Sequence, residues 1–159
     1  MATAARYVLD DPSLGTGLPD MGLIGLMFFG VFVATGTLTR GDVGLFEVTL
    51  PPGGGGPGPH VHRTFSESFP VLEGRLAVLD GDRWTTAGRG DLGYVPRSGV
   101  HGFHAADDDA GCRFLVLVTP GAPREDYVRG LVELRAGRVP TTEELDELAA
   151  RYVQLNLRD

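Results

Sequence analysis

The stretch whose reading decides the fold runs over residues 54–74, GGGPGPHVHRTFSESFPVLEG. In it Gly54, His60, His62, Glu67 and Gly74 stand at set intervals, and a third histidine, His101, follows much later. Side chains alternate across a β-strand, so His60 and His62 project from one face. Imidazole nitrogen and carboxylate oxygen together suit Zn, Fe, Ni, Mn or Co. His60, His62, Glu67 and His101 therefore make a candidate coordination shell for one divalent transition metal per chain. Such a shell keeps open positions where a substrate or dioxygen can bind. Glu67 lies an odd number of residues after His62, so an unbroken strand would turn it away from the histidines. The metal reading requires a bend or bulge between Arg63 and Ser66.

The spacing resembles that of the cupin superfamily. The first cupin motif runs Gly, His-x-His, Glu, Gly, and Gly54, His60, His62, Glu67 and Gly74 fill every slot. The second motif runs Gly, Pro-x-Gly, His, Asn, and Gly90, Pro96 and His101 sit at matching positions. Two slots depart: Ser98 stands where Gly is expected, with Gly99 one place late, and Ala105 stands where Asn is expected. The Asn is not a metal ligand in the family, so its loss leaves the coordination argument intact. The resemblance implies an all-β fold, a cupin-type double-stranded β-helix or jelly-roll barrel, and it implies the break before Glu67. It carries His60, His62, Glu67 and His101 over as metal ligands. The looser strand pattern is similar to small single-domain cupins related to quercetin 2,3-dioxygenases, which implies a homodimer as well.

Composition agrees with such a fold. The chain has 159 residues, enough for one domain with a real core. Its 24 glycines and 11 prolines fit many short strands joined by turns. A formal net charge of −7 and a pI of about 5.0 argue against nucleic acid, which needs a basic face. Cys112 is the single cysteine, so no intrachain disulfide forms, and a cytoplasmic location is expected. Cys112 precedes an apolar run and reads as a packed strand end rather than a reactive thiol. The apolar run at residues 21–34 is too short to span a bilayer and carries Gly22, Gly25 and Gly30. It lacks a basic leader pattern, so no membrane association is expected.

Along the chain, residues 1–20 read as an N-terminal arm, 21–121 as the barrel, and 122–159 as two C-terminal α-helices of the same domain. In the strand at residues 43–50, Phe46, Val48 and Leu50 form the apolar face, and Glu47 shares the other. Residues 51–59, with four consecutive glycines, a fifth at Gly58 and four prolines, form a loop that delivers His60 to the barrel mouth. Pro70 cannot donate to a ladder and should sit at an edge or bulge. Asp80-Gly81-Asp82 signals a hairpin. Asp107, Asp108 and Asp109 lack the spacing of a calcium loop and read as a solvated turn. His104, three residues after His101, should face the other way. Helices are expected at residues 123–136 and 141–155. Thr141-x-x-Glu144 forms a capping box, with Thr142 as an alternative cap. Both helices read as packing outside the barrel, with little functional weight.

Phe28, Phe32, Phe46, Phe69, Tyr94, Phe103 and Leu115 are candidates for lining a substrate pocket. Together they suit a flat aromatic or hydrophobic hydroxylated small molecule. Basic residues on the pocket strands are few, and Arg97 is the one of interest. The resemblance implies a metal-dependent dioxygenase of quercetinase type, with Glu67 as the base and dioxygen as co-substrate. Two alternatives stay open: a metal-dependent polyketide cyclase or isomerase, and a non-catalytic small-molecule-binding cupin.

Overall fold

The computed structural model describes residues 29–122, 124–135 and 138–157. The N-terminal arm and Phe28 lie outside these residues. Alternating sequence builds the first sheet. In β2 (Gly44–Leu50) Phe46, Val48 and Leu50 are buried while the residues between them are half-exposed. β2 lies between β1 (Phe29–Ala34) and β9 (Cys112–Thr119), and every pairing is antiparallel. β9 continues to β4 (Ser66–Glu73) and then to β7 (Leu92–Val95), which gives the order β1-β2-β9-β4-β7. Glu47 stays on the outer face and pairs with Arg113 at 2.9 Å, so it is no fifth ligand.

The facing sheet is β6-β5-β8: β5 (Arg75–Asp80), β6 (Arg83–Gly88) and β8 (Phe103–Ala105). Asp80 pairs with Arg83, so Gly81 and Asp82 form the expected two-residue turn, with Gly81 at φ +66°. Val48, Leu50, Phe69, Val71, Leu76, Val78, Phe114 and Cys112 fill the space between the sheets. Burial pushes the Cys112 thiol up to about 11, as befits a packing residue.

Pro70 departs from expectation. It lies in β4, an interior strand, opposite Leu92 of β7. The ladder to β9 tolerates it because register is carried by Ser68 and Val71 on either side, and the bulge comes just after, between Val71 and Glu73.

The C-terminal segment departs further. α1 (Arg124–Arg135) and α2 (Thr142–Arg151) form as expected, and Thr141 is the cap of α2, with the reciprocal Glu144 bonds of a capping box. The second helix ends early, however. Val153 takes φ +56°, and the chain returns as β10 (Gln154–Asn156), which pairs antiparallel with β3 (His60–His62). Helical spacing of Leu148, Ala149 and Tyr152 masked this turn, because a three-residue strand carries too little pattern to compete. Tyr127, Leu131, Leu148 and Ala149 pack the helices on each other. Among the described residues no helix is long and apolar enough to cross a membrane.

Candidate metal centre and its cavity

Each of the four motif side chains comes from a different local device. β3 places His60 and His62 on its buried face. The chain then bends through residues 63–65, and β4 restarts with Glu67, Phe69 and Val71 inward. This is the break that the odd spacing requires. His101 is brought alongside by an antiparallel bridge to His60. The turn at residues 96–99 precedes it, and there Ser98 adopts φ +63° and donates its N–H to His62 O at 2.7 Å. Ser98 thus occupies the left-handed position where the family pattern has Gly.

The ligand atoms of His60, His62, Glu67 and His101 lie within 4.8 Å of one another, and all four residues are buried. Nδ1 of His60 faces Gly58 O at 2.8 Å, and Nδ1 of His101 faces Gly99 O at 3.0 Å. Nδ1 of His62 lies 3.4 Å from Val153 O, on the turn into β10. A carbonyl accepts only from N–H, so these contacts place a proton on each Nδ1, and in neutral His60 and His62 they turn the Nε2 lone pairs inward. His60 Nε2 and His62 Nε2 then meet at 3.1 Å, and His101 Nε2 meets Glu67 Oε2 at 3.0 Å. The Nε2 lone pairs of His60 and His62 repel at that distance unless a cation lies between them. Backbone carbonyls behind each ligating ring are the usual outer support of such sites. The residues present fit a divalent metal.

The electrostatics agree. Burial, aided by the neighbouring His101, lowers His60 to about 4, and burial lowers His62 to about 3. Burial alone would raise Glu67, but the His101 hydrogen bond and the nearby positive groups bring it down to about 2. At neutral pH two imidazoles are therefore neutral and the carboxylate ionised, the states that ligate.

A cavity of about 370 Å³ opens beside the cluster, and His60 and Glu67 stand in its wall. Phe32, Phe46 and Phe103 line it. Phe69 does not; it lies beneath, fully buried, with ring centroids 5.6 Å from Phe103 and 6.2 Å from Phe114. Tyr94 is corrected outright: it is 62% exposed on the outer face of β7, because Val95 takes the inward position. Leu115 is corrected for the same reason, since Phe114 and Val116 point inward and Leu115 lies opposite Glu47 on the other face. His104 rests against Trp84 at 4.7 Å, away from the cluster. Arg97 is exposed.

The basic residue in the cavity is instead Arg124, at the start of α1. It is 8% exposed, stacks over Tyr127 at 4.0 Å and donates to Gln154 Oε1 at 2.9 Å. Tyr127, Val128 and Leu131 of α1 and Leu145 of α2 complete the wall. The helices are therefore part of the site rather than an outer buttress. One signal was available in sequence: Arg124 falls on the same helical face as Tyr127, Val128 and Leu131. An arginine that heads an apolar stripe is either paired or placed for a ligand.

Antiparallel sheets face each other, and a buried His/Glu cluster sits at the mouth of the interior, the arrangement of a cupin-type fold. Residues 46–118 match the family model described as Cupin domain. No curated protein sequence matches. Among solved structures, the chain is similar to an uncharacterized conserved protein with a double-stranded β-helix domain from Klebsiella pneumoniae. The TM-score is 0.54 at 20% identity, over 67% of this chain and 84% of that one. It is also similar to a predicted oxalate decarboxylase from Thermotoga maritima, with TM-score 0.55 and 17% identity over 58% and 80% of the two chains. A sugar phosphate isomerase from the cupin superfamily of Silicibacter pomeroyi gives 0.50 and 26% over 58% and 59%. These likenesses speak to the fold.

Proposed function

We propose that this cupin is a metal-dependent dioxygenase acting on a small, flat, hydroxylated aromatic or hydrophobic substrate. The observation that carries the reading is that His60 and Glu67 face a cavity walled by Phe32, Phe46, Phe103 and aliphatic side chains. A divalent transition metal held by His60, His62, His101 and Glu67 would supply Lewis acidity toward a substrate hydroxyl and, if redox-active, a site for dioxygen chemistry. The aromatic wall would hold the substrate ring and keep water from it. Glu67, ionised at neutral pH, would accept the hydroxyl proton within the buried site. Its low proton affinity suits an acidic hydroxyl, such as a phenol or enol, better than an alkanol.

The test begins with metal analysis of untagged protein prepared without chelator, followed by oxygen uptake with a flavonol. Iron, nickel, cobalt or manganese near one equivalent, with uptake that tracks substrate loss, is the expected result. Substrate loss without uptake would replace the dioxygenase reading with a cyclase or isomerase, which the resemblance to the sugar phosphate isomerase favours as second choice. Metal without turnover would leave a binding module. Glu67→Gln should hold metal and lose turnover; unchanged turnover removes the base role.

A further inference from the structure

We infer that Arg124 anchors an acidic group of the ligand, so that the cavity selects small aromatic acids over their neutral analogues. This deepens the function proposed above and rests on the same cavity. Arg124 presents a guanidinium with five N–H donors in a fixed fork. Its direct contacts among the described residues are neutral: Gln154 Oε1 at 2.9 Å, Tyr152 O at the long distance of 3.5 Å, and the Tyr127 and Phe65 rings at 4.0 and 5.8 Å, with a hydrogen bond to the Tyr127 side chain; the Glu67 carboxylate acts on it only across space. Among the described residues no carboxylate lies within ion-pair distance of it. The arginines that do pair, Arg75, Arg113, Arg129, Arg138 and Arg151, are all more exposed and meet Asp or Glu.

Burying an unpaired charge is costly, and proteins keep one where a ligand completes it. The one carboxylate of the cluster, Glu67, is already engaged by His101 at 3.0 Å. Arg124 therefore has unspent donors in the wall that also carries Glu67 and His60. Even with both carboxylates of the cavity wall counted, Glu67 and Asp146, a divalent ion and Arg124 together leave the site in positive excess. An anion restores the balance. Tyr127 and Phe103 stand in the same wall, so the occupant that fits is an aromatic ring bearing a carboxylate for Arg124 and a hydroxyl for the metal-side residues.

Salicylate and salicylamide are matched probes, alike in shape and unlike in charge. Calorimetric titration of the full chain, as purified and after chelation, should show salicylate bound about ten- to hundredfold more tightly in both forms, the span expected of hydrogen bonds to a charged group. Arg124→Gln should bring the two within about twofold, and Arg124→Lys should keep part of the preference, since it retains charge and loses the fork. Gln154→Ala removes the structural partner while leaving the cation, and should keep the preference whole. Thermal melts of each variant show that it is folded. The inference is overturned if Arg124→Gln keeps the preference, if wild type shows none, or if neither probe binds. A chain that holds no metal yet prefers salicylate would support the Arg124 role while removing the metal reading. Metal at one equivalent with no preference would do the reverse.

Discussion

His60 and His101 exchange both of their backbone hydrogen bonds, N–H to O at 2.8 Å one way and 3.0 Å the other. Ligands from distant parts of the chain are thus fixed side by side by main chain, not by their own side chains. Truncating either imidazole should therefore leave the ladder in place. We expect His60→Ala and His101→Ala to keep the wild-type circular dichroism spectrum yet to lose metal affinity by more than the roughly 10–100-fold typical of a lost outer-shell partner. Equilibrium dialysis against zinc or nickel measures this. Wild-type affinity in either variant would show that these histidines do not ligate.

Ser98 offers a stability test. It holds φ +63° in the turn before His101, a region that costs a residue with a Cβ about 1–2 kcal/mol and glycine little. Ser98→Gly should stabilise the protein by about 0.5–1 kcal/mol, once the greater freedom of glycine in the unfolded chain is allowed for. The midpoint of chemical denaturation should rise. A fall would mean that the Ser98 side chain contributes something the backbone geometry does not reveal.

The cluster was legible in sequence because ligand spacing is local and carries its own signature. The double-stranded β-helix and the Phe46, Val48, Leu50 face were legible because period-two alternation survives in a strand with one wet side. What failed were judgements that need neighbours. Tyr94 and Leu115 read as apolar residues on barrel strands, but the inward face of each strand belongs to Val95 and Phe114. β10 was hidden inside a helical pattern. A helix outside a barrel and a helix across its mouth have the same apolar stripe, so the stripe alone does not assign Arg124 to the cavity.

Val116 tests the cavity without touching the ligands. It stands half-buried in the cavity wall, between the two clusters that flank it. A larger side chain there would project into open space rather than into packed atoms. Val116→Phe should cost less than the roughly 1–3 kcal/mol of a core overpacked outright. It should leave metal stoichiometry at the wild-type value and weaken binding of an aromatic ligand by about tenfold or more. Lost metal with unchanged ligand binding would place the ligand elsewhere.

The acid sensitivity of the metal-free protein follows from three residues of the cluster, His60, His62 and Glu67. His60 titrates at about 4 and His62 at about 3 when folded, both below the 6.5 of a free imidazole, chiefly through burial. As pH falls past 6.5 the unfolded chain takes up protons first. The stability linked to these groups is whole above about pH 6.5 and is lost progressively toward their folded values. Glu67 acts in the same sense further down: its folded value of about 2 lies below 4.5, so its contribution is whole above 4.5 and is lost below it. From the shift of His60 alone the loss is on the order of 3 kcal/mol. Urea denaturation of chelated protein at pH 7.5, 6, 5 and 4 should show stability declining from near pH 6.5 downward, with a shallower decline in His60→Gln. Stability that stays level from pH 7.5 to 5 would mean that the imidazoles are not buried as neutral groups, and the preformed site would have to be abandoned.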